Sequence, residues 1–463
     1  MKPHTIKLLC ATALLTGGQA AVAQESLMDI YQRALQNDPA IREAEARFLA
    51  SSEVRPQARS QLLPSFQFRA STSTNASTDP NPATEPVTGE VLGTVSSTER
   101  ESDSESWNVS LSQTVFDWGR ILTLKQADKQ VAQAETEFEI ARLDLLLRVA
   151  ETYFNVLASE DSLEAQVAAR QALETQLEQA QRRFEVGLIA ITDVQETRSG
   201  FDSAVAAEIE AQRVLATAQE QLREMIGDYV TDLSGPDGDL PLVTPDPENP
   251  DEWVEVALEQ NLELVAARIA ANIANDDIAI ARSVRFPTLS FSSSYQDSTN
   301  ESRRTVNYFT RATERFPSIS GSEGYQWSLN LDVPIFSGGA NSSRIRQSVY
   351  QHRATLEATE RVARQTERLT RDSYLGVVST ISQVQALDQA VESAETALRA
   401  TQAGFEVGTR TSVELVASQE SLLRAQTNYA RARYDYIINT LRLKQAAGTL
   451  SVSDVEQVDG WLE

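Results

Sequence analysis

The 463-residue chain has one cysteine, two histidines and no apolar run long enough to cross a bilayer as a helix. The cysteine, Cys10, lies in the apolar stretch Leu8–Leu15, behind Lys2 and Lys7 and ahead of Ala21-Val22-Ala23. That is the pattern of a secretory leader, with cleavage expected after Ala23. Leu9 stands where a lipoprotein signal wants a small residue, and Cys10 lies within the apolar stretch rather than after it, so no lipid anchor is expected. Without the leader, no disulfide framework, cysteine metal site or thiol nucleophile remains. His352 is then the only histidine, in a charged, helical stretch that suits a surface better than a catalytic base. No phosphate-binding glycine loop is present, and the acidic, proline-rich segment Asp237–Asp251 lacks calcium-loop spacing. These absences exclude the usual enzyme chemistries; no catalytic residue, cofactor or metal is expected. Losing Lys2 and Lys7 takes the formal net charge from −25 to −27, a poor match for nucleic acid or an anionic membrane surface. A chain with no apolar helix can still be integral if it spans by strands.

The chain is written twice. Phe184-Glu185-Val186-Gly187 recurs as Phe405-Glu406-Val407-Gly408, an offset of 221. Tyr153 falls on Tyr374 at the same offset, Phe116 on Phe336 at 220, and Pro64 on Pro287 at 223. Four anchors in one order, with so little drift, argue duplication. The organisation read from them is a leader at 1–23, a first repeat at 24–231, a linker at 232–250, a second repeat at 251–448 and a C-terminal segment at 449–463. Each repeat opens with a modest helix, Leu27–Ser60 or Asp251–Arg282, followed by a strand, a polar loop, a second strand and two long helices meeting at the Phe-Glu-Val-Gly turn.

Period-two alternation marks the strands. Phe66, Phe68 and Ala70 alternate with Gln67, Arg69 and Ser71; Trp107, Val109 and Leu111 with Asn108, Ser110 and Ser112. Leu289, Phe291 and Tyr295 alternate with serines, and Tyr325, Trp327, Leu329, Leu331 and Val333 with Gln326, Ser328, Asn330 and Asp332. Each strand reads as roughly 9–12 residues, the span of a tilted strand in a bilayer, with aromatics near the ends. A soluble sandwich with one dry face would show the same alternation. The segments Thr72–Ser106 and Gln296–Gly324, rich in serine, threonine and asparagine, read as long outer loops and favour the membrane reading.

From Ile121 to Glu185 there is no proline and no glycine, so a helix of roughly 98 Å is expected at 1.5 Å per residue. Leu124, Val131, Phe138 and Leu145 recur at seven-residue intervals, with Ala127, Ala134 and Ala141 three residues on. Phe201, Leu215 and Leu222 with Ala204, Ala211 and Ala218, then Leu422, Tyr429, Tyr436 and Leu443 with Ala425 and Ala432, repeat the pattern. A strict heptad calls for a left-handed coiled coil whose alanines let the backbones approach. Gly227 and Gly448 end the return helices. Four membrane strands cannot close a barrel, and an open edge in lipid strands backbone groups at several kcal/mol each. The subunit must therefore associate, with cyclic symmetry the natural closure. The alternative of another class is a periplasmic coiled-coil scaffold with a small soluble sheet and no pore.

With this organisation the chain resembles the TolC outer-membrane efflux and secretion channel family over essentially its whole mature length. The resemblance is carried by Phe184-Glu-Val-Gly-Leu-Ile-Ala-Ile-Thr-Asp-Val194, Phe405-Glu-Val-Gly-Thr-Arg-Thr-Ser-Val413, Leu62-Leu63-Pro64 and Val333-Pro334-Ile335-Phe336-Ser337-Gly338-Gly339. It implies an α+β membrane protein: four transmembrane β-strands per subunit in a twelve-stranded trimeric barrel, with long coiled-coil hairpins forming a periplasmic tunnel. It implies an outer-membrane location in lipid, a homotrimer, a periplasmic adaptor protein and an inner-membrane transporter as partners, and no nucleic acid. On the family's pattern, Gly187, Leu188, Thr192, Gly408, Thr409 and Thr411 match the tips that meet the adaptor. Arg410 matches the arginine of a polar lock at the closed entrance, and Thr192 with Asp193 its partners on a neighbouring hairpin. Phe405 stands where the family's lock has a tyrosine, keeping the ring and losing a hydrogen bond. Glu414 matches the first of two acidic positions ringing the entrance, and Ala417 occupies the second. A turn glycine alone accounts for Gly187 and Gly408, and a solvated helix charge is the usual fate of a glutamate such as Glu414.

Overall fold

A computed structural model describes residues 24–462 except 85–86, 88, 231, 237–239 and 309–311. The leader at 1–23, and Asp237 within the acidic linker, lie outside the described residues. The chain divides into two compact units that cut across the repeats: 24–45, 139–262 and 363–462 form one, and 46–138 with 263–362 the other.

The second unit holds the sheet. Strands β1 (Ser65–Thr84), β2 (Val91–Phe116), β3 (Thr288–Tyr308) and β4 (Thr313–Asp332) lie in the order β1-β2-β3-β4, every pairing antiparallel. The strands run 20 to 26 residues, about twice the length expected. The segments read as long loops are mostly strand: Thr72 pairs with Glu105 and Asn300 with Ser320, and the pairing extends to Thr84 of β1 and Asn307 of β3. The apolar alternation stops because one face stops meeting lipid, while backbone pairing continues on serine and threonine. Phe66, Phe68, Tyr325, Trp327, Leu329 and Leu331 share one face and are exposed in the single subunit. On that face Trp107 lies 6.4 Å from Phe68 and 5.4 Å from Tyr295, ring centre to ring centre, an aromatic band across three strands. Past it the same face turns acidic, with Glu105, Asp103 and Glu101 following Trp107 at every second position. An apolar stripe bounded by aromatics and then charge is the profile of a membrane-spanning strand. Among the described residues, nothing pairs with the outer edges of β1 and β4.

The expected opening helices are each subdivided. The first is α1 (Leu27–Asn37), α2 (Pro39–Ser52) and α3 (Val54–Ser60). Asp38 and Glu53 interrupt it, the former because a residue before proline is pushed out of the helical region. The second is α6 (Pro250–Gln260) and α7 (Leu262–Ser283), broken at Asn261, which is extended. Proline-free and glycine-poor sequence gives α4 (Trp118–Glu185) its 68 residues and α8 (Ala340–Glu406) its 67; α5 (Ile191–Ile226) and α9 (Ser412–Ala447) return. In the sheet-bearing unit, Gln126 of α4 donates to the Asp277 carboxylate of α7 at 2.7 Å and Lys129 pairs with Asp276 at 2.6 Å.

The other unit carries most of the core. Tyr153, Phe154, Leu145, Leu222, Tyr436 and Ile437 are fully buried there, each contributing roughly 1.5–3 kcal/mol by burial. The heptad residues Ala204, Ala218, Ala432 and Leu443 are buried as the coiled-coil reading expects. The anchor tyrosines of the duplication do the same work twice. Tyr153 donates to the Ser234 carbonyl and Tyr374 to the Glu248 carbonyl, both at 2.7 Å, each pinning linker backbone to a long helix. The described linker residues are held: Leu233 and Leu240 are buried, and the Tyr436 hydroxyl accepts the Val243 N–H. Phe154 stacks on Tyr434, whose hydroxyl donates to Asp161 at 2.8 Å. Burial pushes the Asp161 carboxyl above its ordinary range despite that bond. The C-terminal segment forms α10 (Val452–Asp459), tied back by Lys444 to Asp454 at 2.6 Å.

Candidate entrance site at the helical tips

The two tips are built alike. At the first, Gly187 at φ +79° reverses the chain after α4, and its N–H reaches the Phe184 carbonyl while that of Leu188 reaches Arg183. At the second, Gly408 at φ +77° does the same after α8, with Thr409 and Arg410 N–H groups on the Gly404 carbonyl. Only glycine takes this left-handed geometry without steric cost. Val186, Leu188 and Ile191 at one tip, and Val407 and Val413 at the other, are exposed.

Each return helix then starts on an acidic cap, and the caps are equivalent under the duplication. Thr411 accepts the Glu414 N–H at 3.3 Å while the Glu414 carboxylate accepts the Thr411 N–H at 3.1 Å, a reciprocal capping box. In the first repeat alanine replaces the threonine. Ala190 has no side-chain oxygen, so half the box survives: Asp193 accepts the Ala190 N–H at 3.3 Å. A carboxylate in the first turn also complements the helix dipole.

Within one subunit Arg410, in the turn just before α9, pairs with Glu414 in that helix's first turn at 3.4 Å. It makes no ion pair with Asp193 among the described residues, and Thr192 is exposed. Two expected elements, the lock arginine and the entrance acid, are therefore partners of each other. The Phe405 ring is covered by the Arg183 guanidinium at 5.3 Å, so the position that lacks a hydroxyl carries a cation–π contact instead. Ala417 is exposed and leaves the second acidic position empty of charge.

Sequence reasoning did not find what holds the two tips together. Ser412 is buried and donates to the Glu196 carboxylate at 3.1 Å, across 216 residues of chain. Gln176 donates to Gln419 at 2.9 Å. Val194 and Leu415, equivalent at the 221 offset, are both buried, and Gly200 lets Val416 approach so closely that an added Cβ would meet it at 3.1 Å. A buried serine beside an N-cap threonine was the available signal; its partner on another hairpin was not. Among the described residues, no group of three or more His, Asp or Glu side chains is arranged to hold a metal ion.

Three comparisons bear on this arrangement. Residues 30–228 and 253–449 match the family described as outer membrane efflux protein. The outer membrane protein TolC of Vibrio cholerae serotype O1 is 34% identical over 457 residues, covering 98% of each chain. The alkaline protease secretion protein AprF of Pseudomonas aeruginosa is 29% identical over 93% of this chain and 86% of its own. In fold, the outer membrane protein VceC from Vibrio cholerae superposes with a TM-score of 0.67 at 18% identity, covering 91% of this chain and 96% of that one. The chain belongs to the outer membrane efflux protein family and is an outer-membrane channel subunit.

Proposed function

We propose that three copies of this chain close into a passive exit duct that serves a tripartite efflux pump, a type I secretion system or both. In this reading a periplasmic adaptor docks on the tips and an inner-membrane transporter supplies the cargo. The observation that carries it is the four-stranded sheet: an apolar, aromatic-banded face and two unpaired edges belong in lipid and need neighbouring copies. A poreless periplasmic scaffold would leave that face in water. The relatives' names, an outer membrane TolC and a protease secretion protein, support export as the task. The repeats 24–231 and 251–448 each supply two strands and one hairpin, with 232–250 joining them. The duct itself performs no catalysis.

At the tips, Gly187, Leu188, Thr192, Gly408, Thr409 and Thr411 form the adaptor surface, with the exposed valines and Leu188 as its apolar part. The gate consists of Arg410 and Glu414, with Phe405 beside them on the same hairpin and Thr192 and Asp193 facing them from a neighbouring hairpin in the closed assembly. An exposed arginine–carboxylate pair contributes about 0.2–1 kcal/mol, so a threefold set makes a gate that docking can open. Single-channel recording tests this: Arg410→Ser and Asp193→Asn raise conductance, the latter keeping an acceptor for the Ala190 N–H. Wild-type conductance in both variants would end the lock reading. Glu414→Gln removes charge and keeps an acceptor for the cap. It is expected to shift reversal potentials away from cation selectivity, and unchanged potentials would remove Glu414 from the entrance.

A further inference from the structure

The sheet face opposite the aromatic band is lined almost wholly by hydroxyls and amides. Hydroxyl pairs such as Ser71 with Ser106 and Ser292 with Ser328 bridge neighbouring strands on it. Exceptions include Arg69 further in, and two neighbouring outer rows: one with Asp79, Val306 and Glu314, and inside it one with two arginines. Arg100 of β2 stands directly opposite Arg304 of β3, and Arg304 directly opposite Phe316 of β4. Like charges facing each other across an antiparallel pair are destabilising, and little here offsets them. Arg100 meets Asp79 only at 3.9 Å, while Arg304 has the Phe316 ring face at 5.7 Å and no carboxylate partner among the described residues. Both guanidiniums are exposed. The next three rows toward the aromatic band hold only serine and asparagine, so the charge is not part of a general basic lining. The row lies seven residues beyond Trp107 toward the end of β2 at Val91, about 23 Å along the strand at ~3.3 Å per residue.

We propose that Arg100 and Arg304 form a binding ring for multivalent oxyanions of the phosphate class at the outer mouth of the barrel. The proposal rests on the threefold closure argued above, which sets two arginines per subunit around one level of the lumen. Planar guanidiniums match the paired oxygens of phosphate, and arginine rings are how pores favour anions. Phe316 holds the Arg304 guanidinium without neutralising it.

The test is calorimetric titration of pyrophosphate into the detergent-solubilised full-length assembly, with native mass measured on every variant. Wild type is expected to bind, and Arg304→Gln and Arg100→Gln each to weaken binding at least about ten-fold. Arg304→Lys keeps the charge but loses the guanidinium fork and weakens binding less than Arg304→Gln does, and Arg69→Gln, four rows away on the same face, leaves it unchanged. A trimer that does not bind pyrophosphate at millimolar concentration overturns the ring while leaving the duct reading intact. Equal weakening by Arg69→Gln and Arg304→Gln does the same, since it reduces the effect to overall charge. A chain that remains monomeric overturns the duct reading and the ring together.

Discussion

Alanine at Gly448 is expected to cost about 2–5 kcal/mol of stability, whereas alanine at the equivalent Gly227 costs about 1–2 kcal/mol. Both glycines end a return helix in the left-handed region, at φ +75° and +86°, so the conformational penalty is common to them. The surroundings differ. A Cβ on Gly448 would lie 2.5 Å from the Gln260 carbonyl oxygen, 2.6 Å from its carbon and 2.7 Å from the Asn261 nitrogen, while one on Gly227 would meet nothing within 4 Å. Those neighbours are backbone at the α6–α7 break, where Asn261 also donates to the Ala446 carbonyl at 3.0 Å. They cannot turn aside as a flexible side chain would. Urea midpoints of the solubilised protein read the difference; equal losses at the two positions would mean that the close approach at Gly448 has no energetic weight.

Arg148→Met is the second large effect. Asp38 is 3% exposed and accepts from Arg148 at 2.5 Å and from the Ala40 N–H at 2.6 Å. Removing the arginine leaves a buried carboxylate with a backbone donor and no counter-charge. Breaking a buried pair costs about 3–5 kcal/mol, and the half-exposed arginine lowers the expectation to about 2–4 kcal/mol. Asp38→Asn in the Arg148→Met background should recover most of this, because asparagine still accepts from Ala40 and carries no charge. The double-mutant cycle isolates the coupling; additive losses would show that Arg148 acts by packing alone.

Much of the architecture was legible because it is written as spacing. The Phe-Glu-Val-Gly recurrence located both tips, the proline-free stretch from Ile121 located α4, and Gly227 and Gly448 marked helix ends. Strand length was not legible. Alternation reports which face meets lipid, and beyond Trp107 neither face does, so Thr72–Ser106 reads as loop although Thr72–Thr84 pairs with Val91–Glu105. The break at Asp38 was marked in the sequence by Pro39 and passed over, whereas that at Asn261 was hidden by helical propensity on both sides. At the tips, the resemblance supplied the residues and the fold supplied their partners. Asp193 and Glu414 emerge as equivalent caps, Arg410 turns to Glu414, and Ser412 reaches Glu196 over a sequence distance that no local pattern records.

The central claim is that the free edges of β1 and β4 are completed by other copies of the chain. Native mass measurement of the detergent-extracted protein tests it most directly. The account predicts one species of three copies that persists on dilution; a stable, monodisperse monomer in detergent would contradict it.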